Sequence, residues 1–162
     1  MAEPLWLNTR EQQAWRAFLD VRRELLAELN RQLTRDAGLS GADYELLAPL
    51  SEASDGRMRP VDLARQVDWD RSRLSHQITR MQERGLVRRE ECCTDARGAF
   101  VVLTDHGRKV IESAAPGHVR SVRHFFLDLL QPGEIDTLIS IFDRVLNRLR
   151  HDASRCPHKD PA

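Results

Sequence analysis

The sequence predicts a mainly α-helical fold of six helices with a small β-hairpin wing after the fourth helix. Apolar residues recur every three or four positions along most of the 162 residues, which is the spacing of amphipathic helices. Two segments, 87–93 and 99–103, have the pattern of paired strands around a loop tip at 94–98. A further segment, 57–59, is compatible with a brief strand. Clusters of Gly, Pro, Ser and Asp separate these elements.

The first three helices precede residue 68. We predict a first helix over about 9–35, with Thr9 and Gln12 as a capping box at its start. Ser40 is a suitable N-cap for the second helix because its hydroxyl can accept a backbone N–H. The third helix, 60–67, is short and begins with a proline, which is tolerated in the first turn of a helix.

The last three helices are separated by the predicted hairpin. The fourth helix, 70–84, follows a tight turn at 68–69, and Thr104 is expected to cap the fifth helix. The segment 115–117 contains proline and glycine and is expected to kink or break the fifth helix. A sixth helix is predicted from Pro132 onward. Its apolar stripe, spaced like a coiled-coil seam, consists of Ile135, Leu138, Phe142, Val145 and Leu149.

Positive charge is concentrated in one window although the chain has no net charge. Residues 71–89 contain six arginines and a single acid, Glu83, so the window carries +5 and the rest of the chain −5. Local positive charge of this kind attracts the phosphate backbone of nucleic acids. The alternative is a solvated basic face that has no partner.

The fourth helix has two different faces. Leu74, Ile78 and Met81 form its apolar side, so the opposite side is expected to be exposed, and that side is polar and basic. Arginine can pair with guanine and glutamine with adenine in the major groove, and the helix N-terminus favours a phosphate. The residues predicted to contact DNA from this helix are Arg71, Ser72, Arg73, Ser75, His76, Gln77, Thr79 and Arg80.

The hairpin tip supplies a second candidate contact. Arg97 stands beside Gly98, so a small loop would present a guanidinium, which suits the negative potential of a narrow minor groove. Asp95 could hold the Arg97 side chain or brace the turn. Such tips are common in hairpins, and this one gains significance because it follows a short helix, a tight turn and a longer helix. That order is the layout of a winged helix-turn-helix.

Residues 57–107 resemble the MarR family of bacterial transcriptional regulators, and the helices on either side match its layout. The matching motifs are Asp62-Leu63-Ala64, Ser72-Arg73-Leu74-Ser75, Arg84-Gly85-Leu86-Val87, Asp95-x-Arg97-Gly98 and Leu103-Thr104-x-x-Gly107. The resemblance implies that the fourth helix enters the major groove and Arg97 the minor groove. It also implies a two-fold dimer formed by the first, fifth and sixth helices. Many members of the family lose DNA affinity when they bind a small, often phenolic, molecule.

The expected organisation follows from this assignment. Residues 1–38 form a dimerisation helix, 39–103 the DNA-binding lobe, 104–152 further dimerisation helices and 153–162 a flexible tail. A homodimer would match a pseudo-palindromic operator in double-stranded DNA, and repression is the expected mode of regulation. A small aromatic effector is a further possible partner. Its candidate pocket residues, each more commonly a core or interface residue, are Trp15, Phe18, Tyr44 and Trp69.

Other function classes find little support in the sequence. It contains no glycine-rich phosphate loop, His-Glu-x-x-His pair or nucleophile elbow, so we expect neither catalysis nor a cofactor. A winged helix used for protein contact would favour apolar residues on the outer face of the fourth helix. No apolar run is long enough for a membrane span and no signal peptide is evident, so a cytoplasmic protein is expected.

The three cysteines do not form a disulfide framework. Cys92 and Cys93 are adjacent, which does not suit metal ligation, and Cys156 lies in the polar tail, so no metal site is expected. Oxidation of Cys92 or Cys93 on the first wing strand could disturb the wing. The alternative is that both are ordinary strand residues.

Overall fold

The computed structural model describes residues 6–91 and 99–155. The chain divides into two compact units, residues 1–122 and 123–162. All six predicted helices and both hairpin strands are present, so the predicted fold class is confirmed. The elements are α1 (Thr9–Ala37), α2 (Gly41–Glu52), β1 (Arg57–Met58), α3 (Pro60–Val67), α4 (Arg71–Glu83), β2 (Val87–Glu91), β3 (Ala99–Leu103), α5 (Asp105–Phe125), a 3₁₀ turn (Leu127–Leu129) and α6 (Glu134–Arg155).

The hairpin is part of a three-stranded antiparallel sheet. The strand order is β1-β3-β2, so the brief strand that the sequence allowed at residues 57–59 pairs on the outer side of β3. Arg57 lies opposite Val102, and Val87 lies opposite Leu103. The inner ends of the strands are buried, which anchors the base of the wing in the core of the first unit.

The core of the first unit lies between α2, α3, α4 and the sheet. Leucines of α2 and α3 are fully buried, and the apolar side of α4 meets them. Burying a side chain of this size contributes about 1.5–3 kcal/mol, so these contacts hold α4 against the rest of the lobe. The fully buried leucines of the two helices are Leu46, Leu47, Leu50 and Leu63.

The start of α5 is fastened to the beginning of the wing. Thr104 Oγ1 donates to the carbonyl oxygens of Gly85 (2.6 Å) and Leu86 (3.1 Å) and accepts the Gly107 N–H at 2.9 Å. A Cβ on Gly107 would lie 2.0 Å from the Leu86 carbonyl oxygen. Only glycine therefore allows α5 to approach this closely.

Local capping explains where the first two helices begin. Asn8 caps α1, because its side chain accepts the Glu11 N–H at 3.0 Å and Glu11 accepts the Asn8 N–H at 2.8 Å. The prediction of Thr9 and Gln12 as this capping box is therefore wrong by one residue. The Ser40 cap of α2 is confirmed, and its reciprocal partner is Asp43. Gly38 ends α1 in the left-handed region, with φ of 63°.

The last two helices differ from the predictions at one point each. Helix α5 continues through Pro116 without a break, so of the two outcomes expected at residues 115–117 the break is wrong. Helix α6 begins at Glu134, after Gly133 with φ of 84°, rather than at Pro132. Within the described residues, no helix is sufficiently long and apolar to cross a membrane.

Candidate nucleic-acid interface

A tight turn sets the direction of α4. Asp68 adopts the left-handed conformation, with φ of 53°, and the Trp69 N–H returns to the Ala64 carbonyl at 3.0 Å. Asp70 then caps α4 by accepting the Arg73 N–H at 2.8 Å. The short helix α3 and the longer helix α4 consequently form a helix-turn-helix whose second helix has a defined start.

The apolar and polar faces of α4 lie as the sequence predicts. Leu74, Ile78 and Met81 are at most 3% exposed. Seven of the eight predicted DNA-contacting residues of this helix are exposed, and none of them is acidic. The exposed seven are Arg71, Ser72, Arg73, Ser75, His76, Thr79 and Arg80.

Gln77 is the exception, and the prediction that it contacts DNA is wrong in this structure. Its side chain is 3% exposed, and its Nε2 donates to Asp43 Oδ1 at 2.7 Å. Its Oε1 accepts a hydrogen bond from the Arg80 guanidinium. Both ends of the amide are therefore occupied inside the protein, so no base edge can reach it.

Asp43 is the centre of a buried polar network that the sequence analysis did not identify. The carboxylate is 1% exposed, and its Oδ2 accepts from the Ser40 N–H and Oγ (both 2.8 Å) and from Arg84 Nη1 (2.7 Å). Arg84 Nη2 also donates to the Gly38 carbonyl at 2.6 Å. The network joins the end of α1, the start of α2 and the end of α4, and thereby fixes α4 in the lobe.

Trp69 lies directly beneath an exposed arginine of α4. The ring is 8% exposed, and its Nε1 donates to Glu45 Oε1 at 3.2 Å. The guanidinium carbon of Arg73 lies 3.8 Å from the ring centroid. This contact is a cation–π interaction, which restricts the movement of the guanidinium group.

The other aromatic residues predicted to line an effector pocket lie elsewhere. Trp15 and Phe18 stack on one another on α1, with 5.6 Å between centroids, and both are about half exposed. Tyr44 packs on His118 at 4.2 Å. The four predicted pocket residues therefore take part in three separate contacts: Trp15 with Phe18, Tyr44 with His118, and Trp69 with Arg73. His118 Nδ1 is buried without a hydrogen-bond partner, and burial lowers the pKa of the imidazole below its usual value.

A groove of about 440 Å³ lies between the start of α3, one edge of α4 and the sheet. Its floor is apolar and its rim is basic, so it extends the positive surface of α4 toward the wing. The arginines at the rim are Arg59, Arg71 and Arg89. Beside it, the guanidinium carbons of Arg57 and Arg59 lie 5.0 and 5.3 Å from the centroid of Phe100.

The predicted wing tip falls outside the described residues. Strand β2 ends at Glu91 and β3 begins at Ala99, so the structure does not describe Asp95, Arg97, Cys92 or Cys93. The described strands establish the base of the wing beside α4. Helix-turn-helix, adjoining sheet and an exposed basic helix face together define the class of winged helix-turn-helix proteins.

Comparison with known proteins gives the family. The chain is similar to AbsC, a MarR family transcriptional regulator from Streptomyces coelicolor, at 45% identity and a TM-score of 0.87, covering 91% of this chain and 99% of AbsC. It is also similar to Sco3205, a MarR family regulator from the same organism solved in complex with DNA, at 42% identity and a TM-score of 0.86, covering 92% and 93% of the two chains.

Curated relatives match over a shorter stretch. The transcriptional regulator HosA of Escherichia coli O157:H7 is 37% identical over 75 residues, 46% of this chain. The chain spans about half the length of the curated relatives it matches, 54% in the case of HosA. A comparison with models of protein families found no match.

The chain belongs to the MarR family of transcriptional regulators. This confirms the resemblance that the motifs indicated. It also confirms the expectation of a DNA-binding regulator rather than an enzyme.

Proposed function

We propose that the protein is a sequence-specific repressor that binds a pseudo-palindromic operator as a homodimer. Helix α4 lies in the major groove of each half-site, and the wing tip, residues 94–98, enters the adjacent minor groove through Arg97. The observation that carries this proposal is the exposed face of α4, which has seven polar or basic side chains and a single acid, Glu83, at its C-terminal end.

The physical case rests on what that face can recognise. Arginine, serine and threonine side chains supply hydrogen bonds to base edges, and the basic rim at Arg59, Arg71 and Arg89 supplies phosphate contacts. A solvated surface helix usually mixes both charges, as α1 does with its Arg23–Asp20 pair. The DNA complex of Sco3205 supports the same use of the fold.

The homodimer is proposed from apolar surface that the single chain leaves exposed. Six apolar side chains of α6 are between 43% and 61% exposed in the single chain, and their contact with water is unfavourable. They are Ile135, Ile139, Phe142, Val145, Leu146 and Leu149. Exposed apolar stripes of this extent mark protein interfaces. We propose that residues 1–38 and 104–152 form the dimer and that 39–103 form the DNA-binding lobe.

We propose repression as the mode of regulation because the dimer would occupy the operator. A dimer that fills consecutive grooves of one operator excludes other proteins from the same DNA when the operator overlaps a promoter. The protein would then act at the nucleoid in the cytoplasm, and a small aromatic effector would relieve repression by favouring a dimer that cannot span both half-sites.

The test is fluorescence anisotropy with DNA from immediately upstream of the protein's own gene, at two salt concentrations and with scrambled competitor. We expect tight binding that resists the competitor and weakens as salt rises. Val145→Glu should produce monomers in sedimentation velocity and lose most of the operator affinity. Absence of DNA binding at both salt concentrations would contradict the proposed function.

A further inference from the structure

We propose that Trp69 and Glu45 are positioning residues that hold Arg73 ready to recognise a guanine in each half-site. This inference rests on the proposed function, because it requires α4 to lie in the major groove. It adds the identity of one recognised base. It also names two residues outside α4 that set the specificity for that base.

The three residues form a chain of contacts from α2 to the exposed face of α4. Glu45, an exposed residue of α2, accepts the indole N–H of Trp69 at 3.2 Å. Trp69 precedes α4 and is 8% exposed, so its ring has little freedom to turn. The guanidinium carbon of Arg73 lies over that ring, 3.8 Å from its centroid, and the backbone N–H of Arg73 donates to the cap residue Asp70.

The stack distinguishes Arg73 from two other arginines near the end of α4. Arg80 is hydrogen-bonded to Gln77, and Arg84 is paired with Asp43. Within residues 6–91 and 99–155, Arg73 has no carboxylate partner, and its side chain contacts the face of the Trp69 ring. Arg73 is exposed, so its N–H groups are available to DNA under the proposed docking.

A guanidinium held in a fixed plane favours guanine over other bases. Guanine presents two acceptors, O6 and N7, that match the two parallel N–H groups of an arginine fork. A free arginine loses rotational freedom when it forms both bonds, whereas the stack has already restricted that freedom. The Trp69–Arg73 stack should therefore increase discrimination for guanine more than it increases general DNA affinity.

A purely structural role for Trp69 makes a different prediction. If the indole only fills the core beneath α4, its removal lowers stability and weakens binding to every DNA sequence equally. Discrimination between DNA sequences, and not affinity alone, separates the two roles.

The experiment uses the full-length protein and an operator duplex selected from random DNA by the parent protein. Guanines in the half-site are replaced singly by 7-deazaguanine, which lacks the N7 acceptor. The parent should bind the critical substituted duplex at least about fivefold more weakly, because the arginine fork loses one of its two acceptors and only O6 remains. Arg73→Ala should abolish that difference and so identify the guanine.

Variants of the positioning residues then test the inference. Discrimination here is the ratio of the affinities for the guanine and the 7-deazaguanine duplex. Trp69→Leu and Glu45→Ala should each reduce this ratio to less than half the parent value. Glu45→Gln keeps an acceptor for the indole N–H and should retain the parent ratio. Glu52→Ala removes an acid from the same helix without touching Trp69, so it is the matched control and should retain it too. In the Arg73→Ala background, Trp69→Leu should change discrimination no further.

The outcomes distinguish this inference from the proposed function. Full discrimination in Glu45→Ala and Trp69→Leu, with loss only in Arg73→Ala, would overturn the positioning role and leave the docking of α4 intact. If Trp69→Leu fails to fold, Glu45→Ala decides, because Glu45 is exposed. Unchanged discrimination in Arg73→Ala would overturn both this inference and the proposed placement of α4.

Discussion

Removal of the Asp43 carboxylate should destabilise the DNA-binding lobe by about 3 kcal/mol, because its partners are held inside the protein. The carboxylate is 1% exposed and accepts from Ser40, Gln77 and Arg84. Asp43→Ala leaves the Gln77 amide without an acceptor and without access to water. An unsatisfied buried amide costs about 1–3 kcal/mol, and a hydrogen bond to a charged group contributes about 1.5–3 kcal/mol.

Two features place the expected loss of stability near the lower end of the range that is usual for a broken buried ion pair. Breaking a buried ion pair typically costs about 3–5 kcal/mol, but the Arg84 side chain is 43% exposed and can be hydrated when its partner is lost. The variant also no longer pays for desolvating the Asp43 carboxylate. For a protein of this size, about 3 kcal/mol corresponds to a melting temperature roughly 6–12 °C lower.

Urea denaturation followed by circular dichroism measures this change, with all proteins at one concentration because dimerisation contributes to stability. The matched control is Asp62→Ala, which removes an exposed carboxylate that is 3.5 Å from Arg65. Its effect should be below about 1 kcal/mol. Equal losses of stability in the two variants would refute the argument that the Asp43 network fixes α4.

Two further predictions concern α5. Gly107→Ala should lower the free energy of unfolding by about 1–3 kcal/mol, because the new methyl group meets the Leu86 carbonyl oxygen. Gly117→Ala should lower it much less, because the nearest atom there, 3.1 Å away, is at the end of the Gln32 side chain. Equal effects of the two substitutions in thermal denaturation would contradict this prediction. Burial lowers the pKa of His118, so the unfolded chain binds the proton more readily and stability should fall as pH decreases below about 6.5. Urea titrations at several pH values should show a weaker dependence in His118→Phe, and an identical dependence would exclude His118 as the cause.

The elements of the fold were predictable because their signals are local. The spacing of Leu74, Ile78 and Met81 defines the buried side of α4 without knowledge of any other element, and the structure confirms it. Capping was less certain at the start of α1. Asn8 and Thr9 are both suitable N-caps, and each has a suitable partner three residues later, so the sequence does not decide between them.

The parts of the site that sequence reasoning missed depend on distant contacts. Gln77 stands at the margin of the polar face, and its burial is decided by Asp43, 34 residues earlier. Trp69 and Arg73 are four residues apart, a spacing at which helical side chains meet. Trp69 precedes the helix, however, so the spacing alone did not predict the stack. The sequence suggested Trp69 as a pocket residue, and its position beneath Arg73 required the turn geometry.

The most direct test of the central claim, that the exposed face of α4 recognises DNA, compares Arg73→Ala with Arg23→Ala. Both variants lose one exposed arginine, but Arg23 lies on α1 and is paired with Asp20. In anisotropy titrations with the selected operator and with scrambled DNA, Arg73→Ala should lose about 1–3 kcal/mol of operator affinity and part of its sequence preference. Arg23→Ala should bind like the parent. Equal operator affinity and preference in the parent and Arg73→Ala would contradict the account.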